Sequence, residues 1–169
     1  MADTKTLYDE DIVAWSKQQA DALRAAARTG SNLELDWENL AEEVEDLAKS
    51  YRLSLKSHLR RIVQHLVKLQ HSPAVDPRNG WRRTIVHARI EIEDLLDDSP
   101  SLRREVENLV KDVMASGVEL ALADLREYDE VNHLSSRVLR RSAGYAADQI
   151  LGDWFPPEPD ARDAGAREP

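Results

Sequence analysis

Hydrophobic residues recur with the period of an α-helix along most of this chain, and the longest run lies between residues 36 and 71. Asp36 has the position of an N-cap residue, no helix-breaking residue follows it before His71, and Pro73 comes soon after the run. At about 100° per residue, the apolar residues form one stripe about 120° wide. The stripe consists of Trp37, Leu40, Val44, Leu47, Ala48, Tyr51, Leu55, Leu59, Ile62, Leu66 and Leu69. The pattern predicts one long helix that packs against partner helices along its length.

Shorter helical patterns lie on both sides of this run. They predict helices over residues 9–28, 80–98 and 100–127, and a short helix that ends near Leu151. Ser99 is the expected cap of the 100–127 helix, and Pro100 occupies its first position, where a missing N–H costs nothing. Ser142 is a candidate cap for the last helix.

The fold class predicted from these patterns is all-α. Val and Ile clusters bounded by turn residues are scarce, so strands are not expected. A length of 169 residues with 41% hydrophobic and 33% charged residues is typical of one soluble domain. We expect a single-domain bundle of four to five helices in residues 1–155, built on the long helix of residues 36–71, and a flexible tail in residues 156–169.

The composition also restricts the compartment and the chemistry. The chain contains no cysteine, which excludes disulfides, thiolate metal sites and cysteine nucleophiles and suits a reducing cytoplasm. The start "MADTKTLYDED" lacks the basic and apolar regions of a signal peptide, and no apolar run approaches the roughly 20 residues of a membrane helix. We therefore expect a cytoplasmic protein without a membrane partner.

Charge is unevenly distributed along the chain. Residues 51–90 carry 9 basic and 1 acidic groups, between residues 1–50 with 5 and 12 and residues 91–134 with 4 and 13. The basic block could face a nucleic acid, or it could be neutralised inside the fold by the acidic helices. The net charge of -9 favours neutralisation within the fold.

Two Arg–His pairs are candidates for catalysis. Arg61 with His65 and Arg83 with His87 are each four residues apart and therefore share a helix face. The segments "RRIVQH" and "RRTIVH" also fit the R-x4-H pattern of a class of all-helical ribonucleases. In such an enzyme His65 would take the 2′-hydroxyl proton, Arg61 would hold the phosphate and Lys68 would add positive charge. The alternative is that His65, at the edge of the apolar stripe, has a packing role.

No metal site or cofactor is predicted. His58 and His65 are two turns apart, roughly 10 Å along the axis, which is too far for one metal ion. Three acidic residues at helical spacing, Glu38, Glu42 and Glu45, lie outside the apolar stripe and are typical of a salt-bridging face. The chain has no glycine-rich phosphate loop and no G-x-S-x-G motif.

Several longer motifs together resemble a known bacterial family. The segments "LYDEDIVAWSKQQADALR", "LDWENLAEEVEDLAKS", "HLVK", "WRRTIVHARIEIEDLLDDSPSL" and "YAADQILGDWFP" resemble, in order and spacing, domain of unknown function 29. The resemblance implies a small all-helical protein and supplies no reaction. The family pattern falls on Tyr8, Trp15, Asp36, Glu42, Glu43, Glu45, His65, Lys68, Trp81, Arg89, Pro100 and Leu102.

The function that these observations favour is a protein-interaction or oligomerisation module, with another protein or a second copy as partner. No catalytic set converges, and the long helix carries more apolar length than a small bundle needs. The alternative is a metal-independent ribonuclease or nucleic-acid-binding protein that uses the basic face of residues 51–90.

Overall fold

The computed structural model describes residues 4–30, 33–127 and 144–158, and within these ranges the chain forms helices and no strand. The α-helices are α1 (Thr4–Glu10), α2 (Ile12–Arg28), α3 (Trp37–His71), α4 (Arg78–Asp98), α5 (Val106–Glu127) and α6 (Ala147–Leu151), with a 3₁₀ helix at Pro100–Arg104. The prediction of an all-α fold built on one long helix is confirmed. None of the helices in this part of the chain is both long and apolar enough to cross a bilayer.

The chain divides into two compact units. Unit 1 contains Met1–Leu55 and Glu93–Glu105, and unit 2 contains Lys56–Ile92 and Val106–Pro169. Helices α3 and α4 each contribute residues to both units. A single domain over residues 1–155 stays a prediction. Within the predicted tail Pro156 is buried, whereas residues 159–169 and the candidate cap Ser142 lie outside the described residues.

Two of the predicted helices have different boundaries. The helix predicted for residues 9–28 begins at Ile12, because Asp11 leaves helical geometry and accepts a hydrogen bond from the Ala14 amide at 2.8 Å. The helix predicted for residues 100–127 is divided into the 3₁₀ helix and α5. Glu105 closes the 3₁₀ helix with a bond from its amide to Leu102 O at 2.9 Å.

The N-termini of α2 and the 3₁₀ helix, both in unit 1, exchange capping groups. The Asp11 carboxylate accepts hydrogen bonds from the Ser101 amide at 2.6 Å and the Ser101 hydroxyl at 2.9 Å. In return, the Ser99 hydroxyl accepts a bond from the Val13 amide at 3.4 Å. Ser99 is the N-cap residue and Pro100 opens the 3₁₀ helix, as predicted, but the Ser99 side chain makes no capping bond to its own helix and bonds to α2 instead. Each helix satisfies a free amide of the other.

The first half of α3 buries a different face from the one that periodicity predicts. Leu40 and Leu47, expected in the core, are 40% and 42% exposed, whereas Ala41, outside the predicted stripe, is buried together with Ala48 of the stripe. The cause is the position of α2, whose Arg24 forms an ion pair at 2.7 Å with Glu45. Glu45 lies about 140° around the helix from Leu40, so α2 covers the alanine side. The leucines are left at the surface.

The stripe is buried as predicted in unit 2. Leu59, Ile62, Leu66 and Leu69 have at most 1% of their surface exposed. The core is completed by residues from the neighbouring helices: Ile85, Ala88 and Ile92 of α4 and Val110, Val113, Val118, Leu122 and Leu125 of α5. At about 25 cal/mol per Å² of apolar surface removed from water, each of these side chains stabilises the fold by a few kcal/mol at most.

Helices α3 and α5 run parallel in unit 2 and meet along a polar row. Lys56 contacts Asp112 at 2.9 Å, Arg60 contacts Ser116 at 2.9 Å, and Lys68 contacts Asp124 at 2.8 Å. Within unit 1, Arg52 donates two hydrogen bonds to Glu105, at 2.7 and 2.9 Å. The prediction that acidic helices partly neutralise the basic block is confirmed.

Gly117 lies where α5 packs closely against α3. A Cβ atom at this position would lie 2.6 Å from Val63 Cγ1 and 3.1 Å from the Arg60 carbonyl oxygen. Gly117→Ala should therefore lower the free energy of unfolding by about 1–3 kcal/mol through overpacking. The control is Gly80→Ala within α4, where a Cβ meets nothing within 4 Å and should raise stability by about 0.5–1 kcal/mol. Urea melts of both variants that show equal effects would contradict this packing.

The exchanged caps predict an unusually large effect of Asp11. Asp11→Ala should cost about 2–3 kcal/mol, because it removes one cap and leaves the Ser101 amide without its acceptor. Asp36→Ala is the matched control, since Asp36 caps α3 at an exposed position, with an Asn39 amide bond of 3.3 Å, and should cost about 1 kcal/mol. Equal losses in chemical denaturation would mean that the Asp11–Ser101 bonds contribute little.

Candidate functional site

Lys68 contacts two side chains in unit 2. Its ammonium group donates to the Asp124 carboxylate at 2.8 Å and lies 4.8 Å from the centre of the Trp81 ring. The Gln64 amide donates to the same Asp124 oxygen at 2.9 Å. Burial raises the pKa of Asp124, but the bonds from Lys68 and Gln64 outweigh this and hold the pKa below its usual range. Lys68, predicted to add positive charge to a candidate catalytic site, is engaged by a carboxylate and only 12% exposed.

His65 is partly buried one turn before Lys68. Burial, followed by the positive charge of Lys68, lowers the pKa of His65 to about 4. Its buried Nδ1 makes no well-aligned hydrogen bond with another described residue, and the same is true of Nδ1 in His58. At neutral pH His65 is therefore uncharged and a weak base, whereas a general acid–base catalyst works best with a pKa near the operating pH.

The two predicted Arg–His pairs are placed differently. Arg61 is exposed, yet close enough to His65 for its charge to lower the pKa of that imidazole. The structure thus brings Arg61, His65 and Lys68 into one neighbourhood, as the spacing predicts. Arg83 and His87 are both exposed on α4, and neither makes a hydrogen bond or ion pair within the described ranges.

Arg89 fastens the C-terminal segment to α4. Its guanidinium donates to the carbonyl oxygens of Ile150 at 2.9 Å, Gln149 at 3.1 Å and Trp154 at 2.8 Å. It also lies 4.9 Å from the centre of the Phe155 ring. These carbonyls belong to the end of α6 and the turn after it, so Arg89 satisfies acceptors that the short helix leaves free. Its role is structural.

Sequence reasoning missed Arg78, which has a similar role at the end of α3. The buried Arg78 side chain donates to the carbonyl oxygens of Leu69 at 2.8 Å and Ser72 at 3.3 Å. A basic residue that follows a proline-containing loop after a long helix is the signal that could have indicated this. Nearby, the Tyr145 hydroxyl donates to Gln70 at 2.6 Å, which joins the end of α3 to the segment before α6.

Most basic residues of the 51–90 block have internal partners. Arg52, Lys56 and Lys68 bond to carboxylates, Arg60 to a hydroxyl, Arg78 and Arg89 to carbonyls, and Arg82 to Glu158. In the part of the chain that the structure describes, Arg61 and Arg83 are the two without such a contact. A nucleic-acid surface that used this block would have to break the contacts of the others.

The acidic motif at the start of α3 has both structural and unassigned members. Asp36 caps the helix and Glu45 pairs with Arg24, whose hydrogen bond and charge lower the pKa of Glu45. Glu42 and Glu43 are exposed, and neither makes a hydrogen bond or ion pair with another described residue. These two family-pattern positions have no packing role that would account for them.

Beside these acids lies an apolar surface that we call the leucine face. It consists of Leu40, Val44, Leu47 and Tyr51, at positions i, i+4, i+7 and i+11 of α3. Two further leucines, Leu33 and Leu35, are 62% and 48% exposed just before the helix. No group of three His, Asp or Glu side chains is placed to hold a metal ion among the described residues.

His65 predicts a specific dependence of stability on pH. The pKa of His65 in the folded protein is about 4, below the usual 6.5. Between pH 6.5 and pH 4, His65 is therefore protonated in the unfolded chain but remains neutral in the folded protein. Stability conferred by His65 should fall by about 1–2 kcal/mol over this interval, after allowance for partial exposure. His65→Gln should reduce the slope in urea melts at graded pH, and the exposed control His87→Gln should not. Parallel profiles for all three proteins would contradict the burial of His65.

Comparisons with known proteins agree with the fold and the motif pattern. A search of the curated proteins gives no match. Among solved structures, an alpha-helical protein of unknown function from Rhodospirillum rubrum ATCC 11170 is similar, with 29% sequence identity and a TM-score of 0.68. The match covers 86% of this chain and 89% of that chain. The family model described as domain of unknown function DUF29 matches residues 7–155. Since this match spans most of the chain, the protein belongs to the DUF29 family.

Proposed function

We propose that this protein is a protein-interaction module that binds a partner through the leucine face. The observation that carries the proposal is the contrast along α3. The stripe is fully buried from Leu55 to Leu69, whereas Leu40 and Leu47, on the flank of the same stripe, keep about two-fifths of their surface in contact with water. An apolar strip that stays partly open beside a fully buried stripe of the same helix is typical of a binding surface.

The roles of the other family-pattern residues support the same proposal. Asp36, Lys68 and Arg89 have structural contacts within the fold. Glu43 does not, and it lies on the exposed part of α3 that borders the leucine face. Residues without a packing role at a surface are candidates for recognition.

The ribonuclease alternative has less support from the geometry. The low pKa of His65, together with its partial burial, gives it little ability to exchange a proton at neutral pH. Lys68 is held by Asp124, so it is not free to bind a phosphate.

Site-specific photo-crosslinking in the native host cell tests the proposal. A photoreactive phenylalanine analogue at Leu47 should give a discrete crosslinked product. The matched control is Leu53, a leucine of the same helix that is 67% exposed and lies about 120° from Leu47 around the axis. The analogue at Leu53 should not give this product, and Leu40→Ser in the Leu47-labelled chain should abolish it without a change in melting temperature.

Two results would contradict the proposal. One is the absence of a crosslink at Leu47. The other is an equal amount of crosslinked product at Leu53, because it would indicate non-specific contacts with other proteins and not a defined binding surface.

A further inference from the structure

We infer that the occupant of the leucine face is a basic amphipathic helix of another protein. This inference rests on the proposed function and adds the chemistry of the partner. Three observations bear on it: the charges around the face, the spacing of its apolar residues, and the internal use of the chain's own basic residues.

The leucine face has an acidic border. Residues 33–47 contain seven acidic residues and no basic one. Two of these acids have ion-pair partners, since Glu45 bonds to Arg24 and Asp46 bonds to Lys49. Glu43 is exposed without a partner and lies about 60° from Leu40 around the helix, on the side away from the buried Ala41. A partner at this face therefore meets negative potential along its solvent side.

The spacing of the leucine face fits a helix. Its four residues span eleven positions, which corresponds to about 16 Å or three turns. Side chains at i, i+4, i+7 and i+11 form a ridge that accepts the apolar residues of a second helix at a small crossing angle. A helix with one apolar stripe of this length and Lys or Arg on its borders would place a cation against Glu43.

Charge disfavours the other occupants. A second copy that docked through the same face would bring two acidic borders together, and like charges at an interface are costly. Nucleic acids and anionic membrane surfaces carry the same sign as this face and would be repelled. A second copy could offer its basic block instead, but most of those side chains are engaged internally, as with Lys56 and Asp112.

Fluorescence anisotropy with three labelled peptides tests the inference on the full chain. The first is an 18-residue helix-forming peptide with leucines at i, i+4, i+7 and i+11 and lysine or arginine on the borders. The second has the same leucines with glutamate borders, and the third is a scrambled form of the first without an apolar stripe. The basic amphipathic peptide should bind at least tenfold more tightly than either of the others. Its affinity should fall as salt is raised.

Variants of the full chain locate the binding. Leu40→Ala and Leu47→Ala should each weaken the basic peptide about tenfold, since central apolar contacts dominate such interfaces. Leu53→Ala should leave the affinity unchanged. Glu43→Gln should weaken binding several-fold and reduce its salt dependence, and Glu43→Lys should weaken it further. All of these positions are exposed, and circular dichroism should show the same helix content in each variant.

The outcomes separate this inference from the proposed function. Equal binding of the basic and acidic peptides would contradict the basic helix as partner but not the interaction module. The same holds if Leu47 gives a crosslink and Glu43→Lys has no effect on peptide binding. A dimer in sedimentation that Leu47→Ala dissociates would assign the face to a second copy and overturn the inference. Loss of both the Leu47 crosslink and peptide binding would overturn both.

Discussion

The parallel contact between α3 and α5 in unit 2 organises much of the structure. Helix α3 has 35 residues. In unit 2 it buries an apolar stripe on one side and forms a row of polar contacts with α5 on another. Lys56, Arg60 and Lys68 recur every four or eight residues and meet acceptors on α5 at matching intervals. In unit 2, two cations of the basic block, Lys56 and Lys68, are therefore neutralised by carboxylates of the acidic block that follows it. Gly117 allows the α5 backbone to lie close to Val63 and to the Arg60 carbonyl of α3.

Helix ends provide the second constraint, because each end leaves backbone groups without partners. Asp11 and Ser99 satisfy amides across two N-termini in unit 1, while Arg78 and Arg89 satisfy carbonyls at two C-termini in unit 2. Charged residues that a motif search would class as functional are used here to complete backbone hydrogen bonding. This explains how a family pattern rich in acidic and basic residues can describe a fold without describing a reaction.

The sequence predicted most of the helices, but it did not predict which neighbouring helices cover their faces. Periodicity predicted α3 with its N-cap Asp36 and the buried stripe of unit 2, because both depend on local spacing. Periodicity wrongly placed Leu40 and Leu47 in the core. It identifies the apolar face of a helix but not the neighbouring helix that covers that face. The Arg–His spacing located Arg61 beside His65, but the burial that makes His65 a weak base comes from other helices. Arg89 and its carbonyl partners are about 60 residues apart in the chain, beyond the reach of local patterns.

The exchanged caps in unit 1 have a consequence for synthesis of the chain on the ribosome. Asp11 bonds to a residue 90 positions later, and Val13 bonds to one 86 positions later. At 5–20 residues per second, about 5–18 s pass between translation of the two sides. During this time the start of α2 has neither its final acceptor nor its packing surface, and isolated helices of this length are marginal in water. Unit 1 is thus a structure that the N-terminal segment cannot complete until the middle of the chain has left the ribosome.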